Sequence, residues 1–235
     1  MKTLIDERVA ALAESAPVEL DLTSAAQRST VQQLAESLAE IDDSPAVLGA
    51  LDDAVAGDTS LPISIRVGAK LARGRAALAG IADPIHVSLV VAVYKEHQRI
   101  LTADQHPAGE DFLREKLRQL RWLFDGVPRH SWDLTIVDDG CPEGSGRIAQ
   151  EILDDYARQE EEVRVLFLAD AIEDGLPIVR SMTSTSESQK GGAVRLGLWH
   201  ATRIAREATH IVAFTDADLS THLAQIGLIA EPLTD

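Results

Sequence analysis

Cysteine is almost missing from this chain. Cys141 is the only one in 235 residues, so no intramolecular disulfide can form. A lone thiol fits a reducing compartment, and a cytoplasmic location is the expectation. Basic residues are also scarce, with 22 Lys and Arg against 38 Asp and Glu, a net charge of −16 and a pI near 4.8. That balance disfavours sequence-independent binding to nucleic acid or to an anionic membrane. An anionic ligand therefore needs a local cationic feature or a metal. No run approaches the roughly 20 apolar residues of a membrane span. Met1-Lys2-Thr3-Leu4-Ile5-Asp6-Glu7 has no apolar signal-peptide core. A zinc-like His/Cys spacing, a P-loop and the Gly-x-Ser-x-Gly elbow of hydrolases are absent as well.

What is present is ordinary globular material: 45% hydrophobic and 26% charged residues. Residues 1–82 are rich in Ala, Leu, Asp and Glu, with apolar positions at helical spacing: Val9, Leu12, Ala13, then Val31, Leu34, Ala35, Leu38 and Ile41. Thr23 or Ser24 can cap the second helix, and Asp42-Asp43-Ser44-Pro45 breaks it. Further helices are expected over 46–56 and 63–79, where Gly68, Gly74 and Gly80 weaken the pattern. This is a helical N-terminal extension with no chemistry of its own.

From His86 the texture changes. The β-branched run from Val87 to Val93 reads as a strand buried on both faces. Helices are expected over 112–124, 146–159 and 192–206, and a last one from His222. Strands are expected over 134–137, 163–168 and 211–215. Alternation of strand and helix predicts an α/β domain over 83–235, a doubly wound, mostly parallel sheet. Ligands of such sheets sit outside the carboxyl ends of the strands, and three polar clusters fall on that rim.

Asp216-Ala217-Asp218 ends the last strand. Side chains at i and i+2 share a face of an extended segment, so both carboxylates can serve one hard cation holding a diphosphate. A solvated strand-end turn explains them equally well. Ala92-Val93-Tyr94-Lys95-Glu96 puts an aromatic at a strand end, able to stack on a base or simply to pack. Asp138-Asp139-Gly140-Cys141 places two adjacent carboxylates after a buried strand, fit to accept from a base or ribose, or to make a tight turn. Lys190-Gly191-Gly192 starts a helix, whose free N–H groups and lysine suit a phosphate; a solvated lysine is the plainer alternative. Cys141 sits near a helix start, which lowers a thiol pKa. His222, four residues after Asp218, is close enough in sequence to approach a metal there.

In order, Val87-Ser-Leu-Val-Val-Ala-Val-Tyr-Lys-Glu96, Ile136-Val-Asp-Asp-Gly140, Lys190-Gly-Gly-Ala-Val-Arg-Leu-Gly-Leu198 and Thr215-Asp-Ala-Asp-Leu-Ser-Thr221 resemble the family 2 glycosyltransferases of GT-A fold. The similarity is greatest to the branch with polyprenyl-phosphate sugar transferases, and covers about residues 86–230. The resemblance implies a nucleoside-diphosphate sugar donor, UDP-linked in the commonest case, and Mg²⁺ or Mn²⁺. By position it implies that Val93, Tyr94 and Glu96 line the nucleoside site and that Asp139, with Asp138 beside it, reads the base. Lys190 then faces the diphosphate, Asp216 and Ala217 lie at the ribose or sugar side, and Asp218 binds the metal with Asp216. Ala92 and Lys95 stand where the family has Pro and Asn, and Cys141 where it has Ser or Thr. The resemblance also places an acceptor site and, in inverting members, a catalytic carboxylate beyond this sequence, where only Glu231 and Asp235 follow as carboxylates. Slow transfer, self-association through exposed apolar surface, and membrane contact only through a lipid-phosphate acceptor or a following segment are the corresponding expectations. Nucleotide binding without turnover is the alternative.

Overall fold

The computed structural model describes residues 2–234, with side chains from Glu7 onward; Met1 and Asp235 lie outside it. Contacts divide the chain into a helical unit, residues 1–82 with 222–235, and an α/β unit, Asp83–Thr221. The last helix, expected to continue the α/β domain, thus belongs with the helices.

The helical unit contains α1 (Lys2–Ser15), α2 (Ala25–Ala39), α3 (Pro45–Ala56), α4 (Ile63–Gly80) and, from the far end of the chain, α9 (Gln225–Thr234). Ser24 caps α2 by accepting the Gln27 N–H, and Ser44 caps α3 by accepting the Val47 N–H. Helix α4 is central, packing on α2, α3 and α9. Its glycines, which weaken the sequence pattern, are contact points. A Cβ on Gly68 would meet Leu34 Cβ at 3.1 Å, and one on Gly74 would collide with the Ala224 carbonyl. Gly227 of α9 likewise abuts the Gly74 carbonyl. Small residues here let two helix backbones touch.

The α/β unit contains β1 (Ile85–Val93), α5 (Phe112–Phe124), β2 (Ser131–Asp138), α6 (Ser145–Tyr156), β3 (Glu162–Phe167), α7 (Leu168–Glu173), α8 (Gly191–Ala201) and β4 (Thr209–Thr215). The sheet order is β3-β2-β1-β4, and every pairing is parallel. The α/β class with a parallel sheet, expected from the alternation, is what the structure has. Side chains of Val90 and Val137 meet Ala193 and Leu196 of α8 on one face, with Leu168, Ala171 and Val179. On the opposite face α6 packs on β2 and β3, with α5 beside it. Central β1 is buried almost throughout. Strand order reverses at β1, which has β2 and β3 on one side and β4 on the other. That reversal opens a crevice at the carboxyl ends, the place where doubly wound sheets bind ligands.

Candidate functional site

A cavity of about 750 Å³ occupies this crevice. It is lined from the end of β1 by Ala92, Val93, Tyr94 and Glu96, and after β2 by Asp139 and Gly140. The segment before α8 adds Gln189 and Lys190, and the end of β4 adds Asp216, Ala217 and Asp218. All the site residues expected from the sequence meet here except Asp138.

Asp138 is spent on its own turn. Its Oδ1 accepts the Gly140 and Cys141 N–H groups, each at 2.9 Å, and its Oδ2 accepts the Gly146 N–H at 2.7 Å. A carboxylate holding three N–H groups at the start of α6 has a structural task and does not line the cavity. Asp139 differs. It is 8% exposed, its Oδ2 accepts the Lys190 N–H at 2.9 Å, and its buried Oδ1 has no partner. A buried acceptor left unmatched is costly and is the usual mark of a missing ligand or water.

The loop after β1 is tied to the loop after β2. The Lys95 N–H donates to Cys141 Sγ at 3.1 Å and the Glu96 N–H to Ser145 Oγ at 2.9 Å. Burial alone would raise the Cys141 thiol; hydrogen bonds from Ser145 and the Lys95 backbone outweigh it and hold the thiol below its ordinary value. Tyr94 is half exposed, with Lys95 Nζ 5.5 Å from its ring centroid. Glu96 pairs with Arg99 at 3.0 Å, and Arg99 grips Glu110 with two bonds of 2.9 Å. Burial pushes the Glu96 carboxyl up; Arg99 opposes this, while the charges of Glu110 and Asp218 add to it.

At the other end Lys190 Nζ is ion-paired with Asp216. Asp218 Oδ1 accepts the Ser220 N–H at 3.1 Å and its hydroxyl at 2.6 Å. The Ser220 hydroxyl is the main cause that keeps Asp218 below the usual carboxylate range. Beneath this turn lies fully buried Lys116 of α5, whose Nζ donates to the Asp218 carbonyl at 3.0 Å. Sequence reasoning missed it, although the signal was there. Lys116 stands at i+4 from Phe112 and i−4 from Leu120, on the apolar face of an amphipathic helix. Arg99, in a loop, and Thr185, in a three-residue 3-10 turn over Thr185–Glu187, also line the cavity; neither segment is long enough to show periodicity, and they gave no such signal.

Among the described residues no group of three or more His, Cys, Asp or Glu is arranged to hold a metal ion. Asp216 and Asp218 line the cavity as a pair. His222 falls in the helical unit, where its Nδ1 accepts the Ala224 N–H at 3.1 Å. Among the described residues no helix is long and apolar enough to cross a membrane. No model of a known protein family matches the chain, and no curated protein or solved structure matches it either.

Proposed function

We propose that the cavity binds a nucleoside-diphosphate sugar with a divalent cation, and that the chain is a glycosyltransferase of GT-A type. The observation that carries this reading is one cavity that gathers an unpartnered buried acceptor, an ammonium and a pair of carboxylates. Asp139 supplies a buried, unpartnered carboxylate oxygen, and the Lys190 side chain leads from beside it to Asp216, with Asp218 lining the same cavity. Asp139 Oδ1 suits a base N–H, such as the imide of uracil. Tyr94, exposed beside it, offers a ring face for stacking.

The donor set fits Mg²⁺ or Mn²⁺. Mg²⁺ takes one or two carboxylates and completes its shell with water and substrate phosphates, so two aspartates without a third protein ligand suffice. When bound, the cation neutralises charge on a leaving diphosphate. The chain's own part is done by Lys190, whose ammonium can leave Asp216 for a phosphate oxygen; the Gly192 and Ala193 N–H groups at the start of α8 are already held by Ser188. Ser220 and Lys116 fix the Asp218 turn before any ligand arrives.

Calorimetry tests the reading. UDP should bind in the presence of Mg²⁺ and lose affinity with EDTA. CDP, whose ring lacks the imide donor, should bind more weakly by roughly 1–3 kcal/mol, the cost of a buried acceptor left unpaired. Asp218→Ala should weaken UDP binding by a similar roughly 1–3 kcal/mol. Equal affinity for UDP and CDP removes Asp139 from base recognition, and indifference to EDTA and to Asp218→Ala removes the cation. Labelled UDP-sugars with hydroxyl and polyprenyl-phosphate acceptors then separate transfer from the alternative, nucleotide binding without turnover.

A further inference from the structure

The turn that carries Lys190 into the cavity is strained. Gln189 and Lys190 are consecutive residues with positive φ, 45° and 71°, and neither is glycine. Side chains disfavour that backbone, and it persists where the surroundings hold it. The hold comes from the end of β2: the Lys190 N–H donates to Asp139 Oδ2 at 2.9 Å. The other oxygen of the same buried carboxylate is the unpartnered one. Asp139 itself is fixed at the end of β2, its N–H donating to the Val93 carbonyl at 3.0 Å. From Lys190 the side chain continues to Asp216. One carboxylate therefore has one oxygen for a ligand and one for the backbone that sets where the ammonium stands.

We propose that Asp139 is a positioning residue for Lys190, so that the base end and the diphosphate end of the cavity are coupled through this carboxylate. The inference rests on reading the cavity as a nucleoside-diphosphate site. A base N–H bound at Oδ1 fixes the plane of the carboxylate. That plane fixes the Oδ2 bond to Lys190, and the ammonium is then ordered before it meets a phosphate. Without the Oδ2 bond the strained turn relaxes and Lys190 must be ordered by the phosphate itself.

Inorganic pyrophosphate with Mg²⁺ is the discriminating probe, because it has no base to touch Asp139. Asp139→Asn and Asp139→Ala remove the same charge, so their comparison cancels the electrostatic effect of losing a carboxylate near an anion. The asparagine carbonyl can still accept the Lys190 N–H while its NH₂ opposes a base donor; alanine does neither. UDP should bind Asp139→Asn about tenfold more weakly than wild type, as expected for one lost buried hydrogen bond, and Asp139→Ala about three- to tenfold more weakly again. Pyrophosphate should bind Asp139→Ala about three- to tenfold more weakly than Asp139→Asn. Hydrogen exchange of the ligand-free protein should show the Lys190 N–H less protected in Asp139→Ala than in Asp139→Asn. Equal pyrophosphate affinity of the two variants, or equal protection, overturns the coupling and leaves the nucleotide reading standing. A wild-type protein that binds pyrophosphate but not UDP removes the base reading alone, and the Asn-to-Ala comparison still decides the coupling. A wild-type protein that binds neither removes both. If Asp139→Ala fails to fold, Asp139→Ser replaces it, being uncharged and too short to span both groups.

Discussion

Lys116 is a residue the fold tolerates at a cost. It is fully buried, and burial pushes its ammonium down to about 8; the carboxylates of Asp218 and Asp216 only partly compensate. A lysine whose folded pKa lies below its unfolded value near 10.4 destabilises the fold fully below about 8. That penalty is relieved as pH rises toward the unfolded value. A drop from 10.5 to about 8 corresponds to about 3 kcal/mol. Lys116→Met removes this penalty but leaves the Asp218 carbonyl unpaired, at roughly 1–3 kcal/mol. The expected net result near neutral pH is a gain of about 1 kcal/mol, turning into a loss of about 1 kcal/mol at about pH 10, where the charge penalty has largely gone and the unpaired carbonyl remains. Urea unfolding of both proteins at the two pH values checks it; a loss of stability at neutral pH would contradict the sign. A buried cation retained under two carboxylates against stability is in keeping with the ligand site proposed above.

Between elements, small residues and one buried carboxylate decide how the parts meet. Helix propensity alone makes Gly→Ala favourable by roughly 1 kcal/mol inside a helix. At Gly74 the sign should reverse, because a Cβ there strikes the Ala224 carbonyl backbone, which cannot swing away. Gly74→Ala is expected to destabilise by roughly 1–3 kcal/mol, as overpacking does. At Gly49, where the nearest atom to a Cβ is Arg73 Nε at 3.8 Å, the ordinary stabilisation of roughly 0.5–1 kcal/mol should appear. Thermal unfolding of the pair tests the contrast. In the sheet, Asp133 Oδ2 accepts from His86 Nε2 at 2.9 Å, Ser88 Oγ at 2.7 Å and Arg206 Nη2 at 2.8 Å. The Ser88 hydroxyl in turn accepts from His210 Nε2 at 2.8 Å, and Arg206 continues to Glu162. One carboxylate thus ties together all the strands of the sheet. Asp133→Ala leaves His86 and Ser88 without their shared acceptor and Arg206 with Glu162 as its remaining partner, so about 3–5 kcal/mol should be lost in chemical denaturation.

For the molecule as a whole, the same network makes the fold acid-sensitive. Burial lowers the pKa of His210, with His86 and Arg206 adding to the effect, and burial also lowers that of His200. Burial opposes ionisation of Asp133, but hydrogen bonds from His86 and Ser88 win and hold it below its ordinary value. In all three cases the unfolded chain binds protons more readily than the folded one, so stability falls as pH falls. The histidines act first, from about pH 6.5 downward, and Asp133 follows below about pH 4. Acidification also reduces the self-repulsion of a chain with net charge −16. Exposed charges are screened beyond about 8 Å at physiological salt, however, whereas the buried network is not. Tm should therefore decline between about pH 7 and about pH 5, and His210→Gln should flatten the decline. A Tm that rises over that interval would show that surface repulsion governs.

Sequence periodicity by itself determined the α/β class, the helical extension and most elements. Buried faces impose their period on the chain whatever the partners are. Phe112–Phe124 forms a helix because its apolar residues recur at helical spacing, and Val87–Val93 lies within a strand because an unbroken β-branched run suits a sheet buried on both faces. Strand-end polar clusters were legible for the same reason: Tyr94, Asp139 and Asp216-Ala217-Asp218 break apolar runs where a sheet ends, and they meet in one cavity. Contacts distant in sequence were decided only by the tertiary structure. Helix α8 stops at Ala201, short of the expected Arg206, as Arg206 is drawn to Asp133 and Glu162. Helix α6 stops at Tyr156, close to where Glu161 is held by Arg121 at 2.7 Å. Asp138 and Asp139 are indistinguishable as neighbours in sequence. Strand alternation points them to opposite faces of the sheet, one toward the N–H groups of α6 and the other toward Lys190 and the cavity. The last helix joins the helices rather than the sheet because Gly227 and Ala224 allow backbone contact with Gly74, a fit between positions about 150 residues apart that no local pattern encodes.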